Sequence, residues 1–205
     1  METPPTSSRH WRPYLSNLGL LLIAPLLAIL LTTFVFQSYQ VSGESMQNTL
    51  QNNDRLIVWK GSRTWARLFG GQYVPNRGDI VIVNEQNLTA CNQTGKVIIK
   101  RIIGLPGERI VYAHSVYAVY NHDHPEGFNP DTSLPYGSSH KANGPLLEDA
   151  NAFDTDTTLK SNQVFVSGDH RANSCDSRYF GAVDTHDIIG KVVMRIFPLS
   201  QAEKF

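Results

Sequence analysis

Four short polar segments, each next to an apolar run, contain the residues of this chain that could do chemistry. They lie at 43–46, 77–81, 100–108 and 168–178. Among them, Ser45 has a hydroxyl that could act as a nucleophile and Lys100 has an amine that could act as a base. A serine hydroxyl is a weak nucleophile and needs a base within ~2.6–3.2 Å to take its proton. Taken singly, each segment is also explained as a turn, an edge-strand charge or a hydrogen-bonded loop.

Lys100 can serve as a base only if its amine is neutral. The unperturbed pKa of a lysine is about 10.4, and an apolar environment lowers it, in extreme cases by several units. In a strand, Ile98 and Ile102 would share the face of Lys100. The sequence therefore predicts an apolar environment for this amine. A Ser-Lys pair is a known variant of the serine triad.

The order and content of the four segments resemble the bacterial signal peptidase I family over nearly the whole chain. Residues 45–50 read SMQNTL, close to the S-M-x-P-T-L stretch of the family, and residues 78–81 read GDIV. Residues 100–108 read KRIIGLPGE, and residues 168–178 read GDHRANSCDSR. The last two motifs are specific, because together they define many positions. The resemblance implies a serine endopeptidase that removes signal peptides from exported proteins at Ala-x-Ala-like sites.

The resemblance also implies a role for individual residues. Ser45 would be the nucleophile and Lys100 the general base. Supporting roles fall to Ser174, which would hydrogen-bond the lysine, to the ion pair of Asp176 and Arg178, and to Asp169. Small substrate pockets would be lined by Tyr39, Val41, Met46 and Ile99. Neither a metal nor another cofactor is expected.

Three positions differ from the pattern of the family or vary within it. Gly43 stands where some members have a serine that helps to stabilise the oxyanion, so the backbone N–H of Ser45 would carry more of that task. Asn48 replaces the usual proline, and His170 replaces the usual asparagine. None of these differences removes a catalytic residue, and activity is expected.

The elements that must position these residues are predicted to be strands. Short apolar, β-branched runs alternate with Gly- and Pro-containing turns, which is typical of a mainly antiparallel β fold, here a sheet or barrel-like catalytic domain. The runs lie at 55–59, 79–83, 96–103, 109–112, 163–166 and 188–197. We predict a catalytic β core in two parts, 38–120 and 162–205, with an insertion over the core at 121–161.

An apolar segment precedes the β core. Residues 18–36 are all apolar or small and uncharged, and 19 residues of helix span roughly 28 Å, close to the ~30 Å hydrocarbon core of a bilayer. A cleaved leader would have a shorter apolar core, and a buried helix would have a polar face. We predict a single transmembrane helix at 15–37 after a cytoplasmic tail at 1–14. Arg9 and Arg12 precede it, which favours an extracytoplasmic catalytic domain at the cell membrane.

Composition limits the partners. Eighteen basic and 18 acidic residues give a formal net charge of zero, which argues against a nucleic-acid binder. The expected partners are signal peptides and the lipid bilayer. Two functional alternatives remain open: an enzyme specialised for one substrate, and an inactive scaffold that binds leader peptides. The sequence also leaves open whether Cys91 and Cys175 form a disulfide.

Overall fold

The computed structural model describes residues 12–47, 49–84, 97–133 and 154–205. Its helices are α1 (Arg12–Leu30, continued by a π-helical turn at Leu31–Val35), α2 (Gly61–Leu68), α3 (Pro130–Ser133) and α4 (Ser177–Phe180). Its first strands are β1 (Phe36–Gln40), β2 (Arg55–Trp59), β3 (Ile80–Asn84), β4 (Val97–Gly104), β5 (Arg109–Ala113) and β6 (Val116–Tyr120). The later strands are β7 (Thr155–Thr158), β8 (Gln163–Ser167), β9 (Val183–Asp184), β10 (Ile188–Phe197) and β11 (Glu203–Lys204). The prediction of a mainly β fold is confirmed.

Two antiparallel sheets are formed by the described residues that follow α1. The larger has the order β1-β2-β10-β3-β4-β8-β9, with β11 on β10, and the smaller has the order β6-β5-β7. The strand that carries Lys100, β4, lies between β3 and β8, and Lys100 is in register with Val81. The strand before Ser45, β1, lies at the edge of the large sheet. Three strands of the sheet (β2, β10 and β3) therefore lie between β4, which carries Lys100, and β1, which precedes Ser45.

The central strand β3 is buried on both faces, and this explains its continuous apolar sequence. Ile80 and Ile82 pack into one hydrophobic cluster with Met46 and Leu50, which follow Ser45. Val81 and Val83 pack into a second cluster on the opposite face. Successive side chains of a strand point to opposite faces, so a strand between two cores must be apolar at every position.

The small sheet packs on the large one through a third cluster. Tyr112, Tyr117 and Phe165 are completely or almost completely buried in it. The predicted insertion at 121–161 contributes α3 and β7 to this region, and β7 pairs with β5. The remainder of the insertion, 134–153, lies outside the described residues.

Helix α1 runs through Pro25, and the chain changes to strand β1 at Phe36. The helical conformation thus ends just inside the predicted boundary at residue 37. The apolar side chains from Leu21 to Leu31 are exposed, between 42% and 70% for the large ones.

Within the described residues, the structure has no helix that is long and apolar enough to cross a membrane.

Candidate active site

Ser45 and Lys100 meet although 55 positions separate them in the chain. Ser45 lies in a turn that follows β1, and its Oγ is 2.7 Å from Lys100 Nζ. Nζ also lies 3.1 Å from the carbonyl oxygen of Ile99, to which it donates a hydrogen bond. The first distance falls within the range that proton transfer between a nucleophile and its base requires.

Lys100 is buried in a predominantly apolar environment. It is 3% exposed, and Ile98 and Ile102, which share its face of β4, belong to the hydrophobic cluster around Val81. Burial lowers the pKa of Lys100 to about 8, against the opposing influence of the Asp176 and Asp169 carboxylates. The apolar environment that the sequence predicts is present. About a tenth of the amine is therefore neutral at pH 7, far more than for a lysine of ordinary pKa.

Asp169 joins the Ser45 turn to the Lys100 strand. Its carboxylate accepts hydrogen bonds from Thr49 Oγ1 at 2.5 Å and from Arg101 Nε and a terminal nitrogen of Arg101 at 2.8 and 2.7 Å. The backbone N–H of His170 donates to the carbonyl oxygen of Ser45 at 3.0 Å. These bonds hold the serine and the lysine against the same loop, residues 168–178. The sequence analysis assigned no role to Thr49 or Arg101, although both stand inside the quoted motifs.

Asp176 and Arg178 form a completely buried ion pair beneath the site. Arg178 Nε and a terminal nitrogen donate to the two carboxylate oxygens at 2.8 and 2.9 Å, and the Gly168 N–H and Ser167 Oγ donate at 2.9 and 3.0 Å. Burial alone would raise the pKa of Asp176, but the hydrogen bonds and charge of Arg178 outweigh it, and the pKa lies below its usual value. The carboxylate is therefore ionised and fixes the start of the loop at Gly168.

Ser174 lies at the site but does not make the bond that the resemblance implies. It is 7% exposed, and its Oγ is buried without a hydrogen-bond partner among the described residues. A Cβ atom on Gly168 would collide with Ser174 Oγ and with the carbonyl oxygen of Ser45. Only glycine at 168 lets the loop approach the Ser45 turn this closely.

A cavity of about 190 Å³ opens beside Ser45. The four residues predicted to form substrate pockets all line it, and the sequence analysis did not predict its further lining residues Gln40, Ser42, Gly43 and Val97. Gly43 has a φ of 102°, a conformation that a serine at this position would adopt only with strain. The cavity is small, and both polar and apolar residues line it.

The insertion at 121–161 contributes an ion pair that supports the loop at 168–178, and no feature of the sequence predicts it. Asp131, at the start of α3, forms a buried ion pair with Arg171 of the loop. Arg171 also donates to the carbonyl oxygen of Gly168 at 2.9 Å and lies over the ring of Tyr117. The loop is thus held from the side of the small sheet as well. Asp131 stands among many polar residues, and only the tertiary fold distinguishes it.

Two features that the sequence singled out lie partly or wholly outside the described residues. Cys175 is disulfide-bonded, and Cys91, the other of the two cysteines in the chain, lies outside the described residues. Asn48, which replaces the usual proline, also lies outside them. His170 lies beside the Ser45 turn, and its Nδ1 is buried without a hydrogen-bond partner among the described residues.

An antiparallel β domain with a serine hydroxyl beside a buried amine has the fold and site of a serine hydrolase. The family model described as signal peptidase, peptidase S26, matches residues 14–197. The chain therefore belongs to the signal peptidase family S26, and it is a serine peptidase. The resemblance drawn from the sequence motifs is confirmed.

The chain is similar to several individual proteins of known sequence or structure. The chain is 30% identical over 203 residues to a probable signal peptidase I-1 of Synechocystis, covering 98% of this chain and 91% of the relative. It is 28% identical to an inactive signal peptidase IA of Staphylococcus aureus, over 88% of this chain and 90% of the relative. A crystal structure of a signal peptidase I from Enterococcus faecalis matches 59% of this chain and 98% of its own, with 28% identity and a TM-score of 0.41.

Proposed function

We propose that the chain is a membrane-anchored endopeptidase that removes signal peptides from exported proteins, with Ser45 as nucleophile and Lys100 as general base. One observation carries the proposal: Lys100 Nζ lies 2.7 Å from Ser45 Oγ, and Lys100 is only 3% exposed. A buried lysine of lowered pKa can take a proton, whereas an exposed lysine at neutral pH cannot.

The reaction follows from these positions. Neutral Lys100 accepts the hydroxyl proton while Ser45 Oγ bonds to the scissile carbonyl carbon. The resulting oxyanion needs donors, and no described residue accepts a hydrogen bond from the Ser45 backbone N–H, which leaves it free for this task. The lysine then gives its proton to the leaving amine as the C–N bond breaks. Water, deprotonated by Lys100, hydrolyses the acyl-enzyme and restores the serine.

The cavity beside Ser45 supports the proposed preference for Ala-x-Ala. Its volume of about 190 Å³ must be shared by more than one substrate side chain, which favours small side chains over large ones. The edge strand β1, which carries Tyr39, pairs on one side only among the described strands, and an extended substrate could add as a further strand on the other side. Main-chain hydrogen bonds would hold the peptide, and Val41, Met46 and Ile99 would exclude large side chains.

The apolar N-terminal segment supports the proposed anchoring. Its helix leads into β1, only a few residues before Ser45, so the site would lie close to the bilayer surface. That is where the cleavage site of a leader emerges once its apolar core is embedded. In this arrangement residues 1–14 are cytoplasmic, residues 15–37 cross the membrane once, and the core at 38–120 and 162–205, with its insertion at 121–161, is extracytoplasmic.

A processing assay tests the function. The full chain in detergent micelles is incubated with several unrelated secretory precursors, and the products are mapped by mass spectrometry. We expect a single cut after Ala-x-Ala in each precursor, and no cut when the alanine before the scissile bond is replaced by phenylalanine. Cleavage of only one precursor would identify a specialised enzyme. Failure to cut any of them, together with retained binding of leader peptides, would identify an inactive scaffold.

The rate of this reaction is expected to depend on pH through Lys100. Only the neutral amine is active, so kcat/KM should rise about tenfold per pH unit below about 8 and level off above it. Steady-state cleavage between about pH 6 and pH 9.5 measures this, with tryptophan fluorescence as a control for folding. A rate that stays constant over this range would show that Lys100 is not the base.

A further inference from the structure

Glu44 directly precedes Ser45, but its side chain lies outside the proposed substrate cavity. Gly43 and Ser45, on either side of it, both line that cavity, whereas Glu44 is not among the lining residues. Its carboxylate instead accepts a hydrogen bond from the side-chain amide of Asn173 at 3.2 Å. Asn173 belongs to the loop at 168–178, so the Glu44 carboxylate lies on the side of the nucleophile that faces this loop.

Glu44 is an exposed charge without a countercharge. Both Glu44 and Asn173 are exposed, and among the described residues no basic side chain forms an ion pair with Glu44. Asn173 binds one of the two carboxylate oxygens, and the other accepts no hydrogen bond from the described part of the chain. The charged side chains of the loop itself are, in contrast, buried in ion pairs; they are Asp169, Arg171, Asp176 and Arg178.

The course of a bound substrate follows from the position of the cavity. In the proposed function, side chains before the scissile bond enter the cavity, and the scissile carbonyl carbon lies at Ser45 Oγ. An extended peptide advances about 3.3 Å per residue, so the residues after the scissile bond continue past Ser45 and away from the cavity. The described residues that line the cavity include none from the loop at 168–178, although this loop reaches Ser45 through the backbone N–H of His170. The loop and Glu44 therefore lie where the substrate leaves the site.

We propose that Glu44, held by Asn173, contacts the first residues of the substrate after the scissile bond and favours a basic side chain over an acidic one there. The inference rests on the proposed peptidase function and extends it to the other side of the cut. Charges at a protein surface interact weakly, because water and salt screen them. Attraction of a basic residue and repulsion of an acidic one add, however, when the two substrates are compared.

Cleavage of matched precursors tests the inference. Each carries the same leader and Ala-x-Ala site, with lysine, alanine or aspartate at the first or the second position after the cut. The full chain cuts them near neutral pH in dodecyl maltoside micelles, whose headgroups carry no charge. We expect kcat/KM for lysine to exceed that for aspartate about fivefold at low salt, and less than about twofold at ~0.5 M salt. Successive side chains of an extended peptide point to opposite sides, so the effect should be concentrated at one of the two positions.

Substitutions at Glu44 assign the preference. Glu44→Gln should remove it, because the amide has no charge but keeps an oxygen that can accept from Asn173. Glu44→Lys should reverse it. The matched control is Glu126→Gln, which makes the same change in an exposed side chain between β6 and α3 and alters the net charge of the protein equally. This control should keep the ratio of the wild type.

Three results would overturn the inference. Equal rates for lysine and aspartate at both positions in the wild type would show that no charge is recognised after the cut. A ratio that is the same in Glu44→Gln as in the wild type would assign the preference to another group, and it is also what a merely structural role of Glu44 would give, since all precursors would then slow alike. An equal loss of preference in Glu126→Gln would attribute it to the net charge of the protein.

Peptide binding separates this inference from the proposed function. Ser45→Ala cannot form an acyl-enzyme but keeps Glu44 and the cavity, so the Kd of uncut peptides that span the site can be measured by fluorescence anisotropy. The lysine peptide should bind about fivefold more tightly than the aspartate peptide. If the wild type cuts the alanine precursor but shows no charge preference, the peptidase function stands and the inference fails. If no precursor is cut but binding shows the preference and Glu44→Gln removes it, the peptidase function fails and the recognition of charge by Glu44 stands.

Discussion

Replacement of Ser45 by alanine, or of Lys100 by methionine, is expected to lower kcat for precursor cleavage by about 10⁴-fold or more. Ser45→Ala removes the atom that forms the acyl-enzyme. Lys100→Met keeps the length and burial of the side chain but removes the amine that lies 2.7 Å from Ser45 Oγ. The two groups act in one step, so the double variant should be no slower than either single variant.

The lysine variant should also be more stable than the wild type. Holding a buried lysine at a pKa of about 8 instead of 10.5 costs about 3 kcal/mol while the amine is charged. The unfolded chain keeps its proton between these values and the folded chain loses it, so the wild type gains stability as pH rises from about 8 to about 10.5. Lys100→Met lacks this dependence, and its advantage should be largest at neutral pH and vanish above about pH 10.5.

Urea unfolding in micelles at several pH values measures this difference, and the cleavage assay measures the loss of rate on the same samples. The matched control is Lys191→Met, which removes an amine that forms a part-exposed ion pair with Asp79. It should show no gain in stability at neutral pH. A Lys100→Met protein that cuts at the normal rate, or a stability difference that does not change with pH, would refute the role given to this amine.

The second large effect is expected from Asp176→Asn. The substitution leaves the Arg178 guanidinium buried without its countercharge, and breaking a buried pair in this way typically costs about 3–5 kcal/mol. An amide oxygen is also a weaker acceptor than a carboxylate for the Gly168 N–H, so the loop that carries Ser174 would be held less firmly. We expect a large loss of unfolding free energy together with a clear loss of kcat.

The chain offers a matched control for this substitution. Asp156 forms the same kind of bidentate ion pair with Arg109, but both side chains are about half exposed, at 54% and 51%. Asp156→Asn should therefore change stability little, since water and salt already screen the pair. Equal losses from the two substitutions, measured by urea unfolding, would mean that the burial of the Asp176–Arg178 pair is not what makes it important.

Local sequence patterns were sufficient for the main strands of the core, and the resemblance to the family was sufficient to propose Ser45 and Lys100 as the catalytic pair. The runs at 55–59 and 188–197 match β2 and β10 residue for residue, because β-branched residues between Gly and Pro turns have few other stable conformations. Helix α2 was missed: its eight residues are too few for a clear helical period, and its bonds to the N-terminal helix define it. The two motifs around Lys100 and Ser174 identified the family before any coordinate was known.

The relations between distant segments depended on the tertiary structure alone. The sequence places Ser45 and Lys100 in separate elements, and only the folded chain brings their side chains together, with Asp169 bonded to both segments. The bond from Ser174 to the lysine, which the motif implied, is not formed, and Asp131, in no motif, holds Arg171 instead. Local conformational preferences of the residues are visible in the sequence. The burial of Lys100, which lowers its pKa, depends instead on all the residues that pack around the side chain in the folded protein.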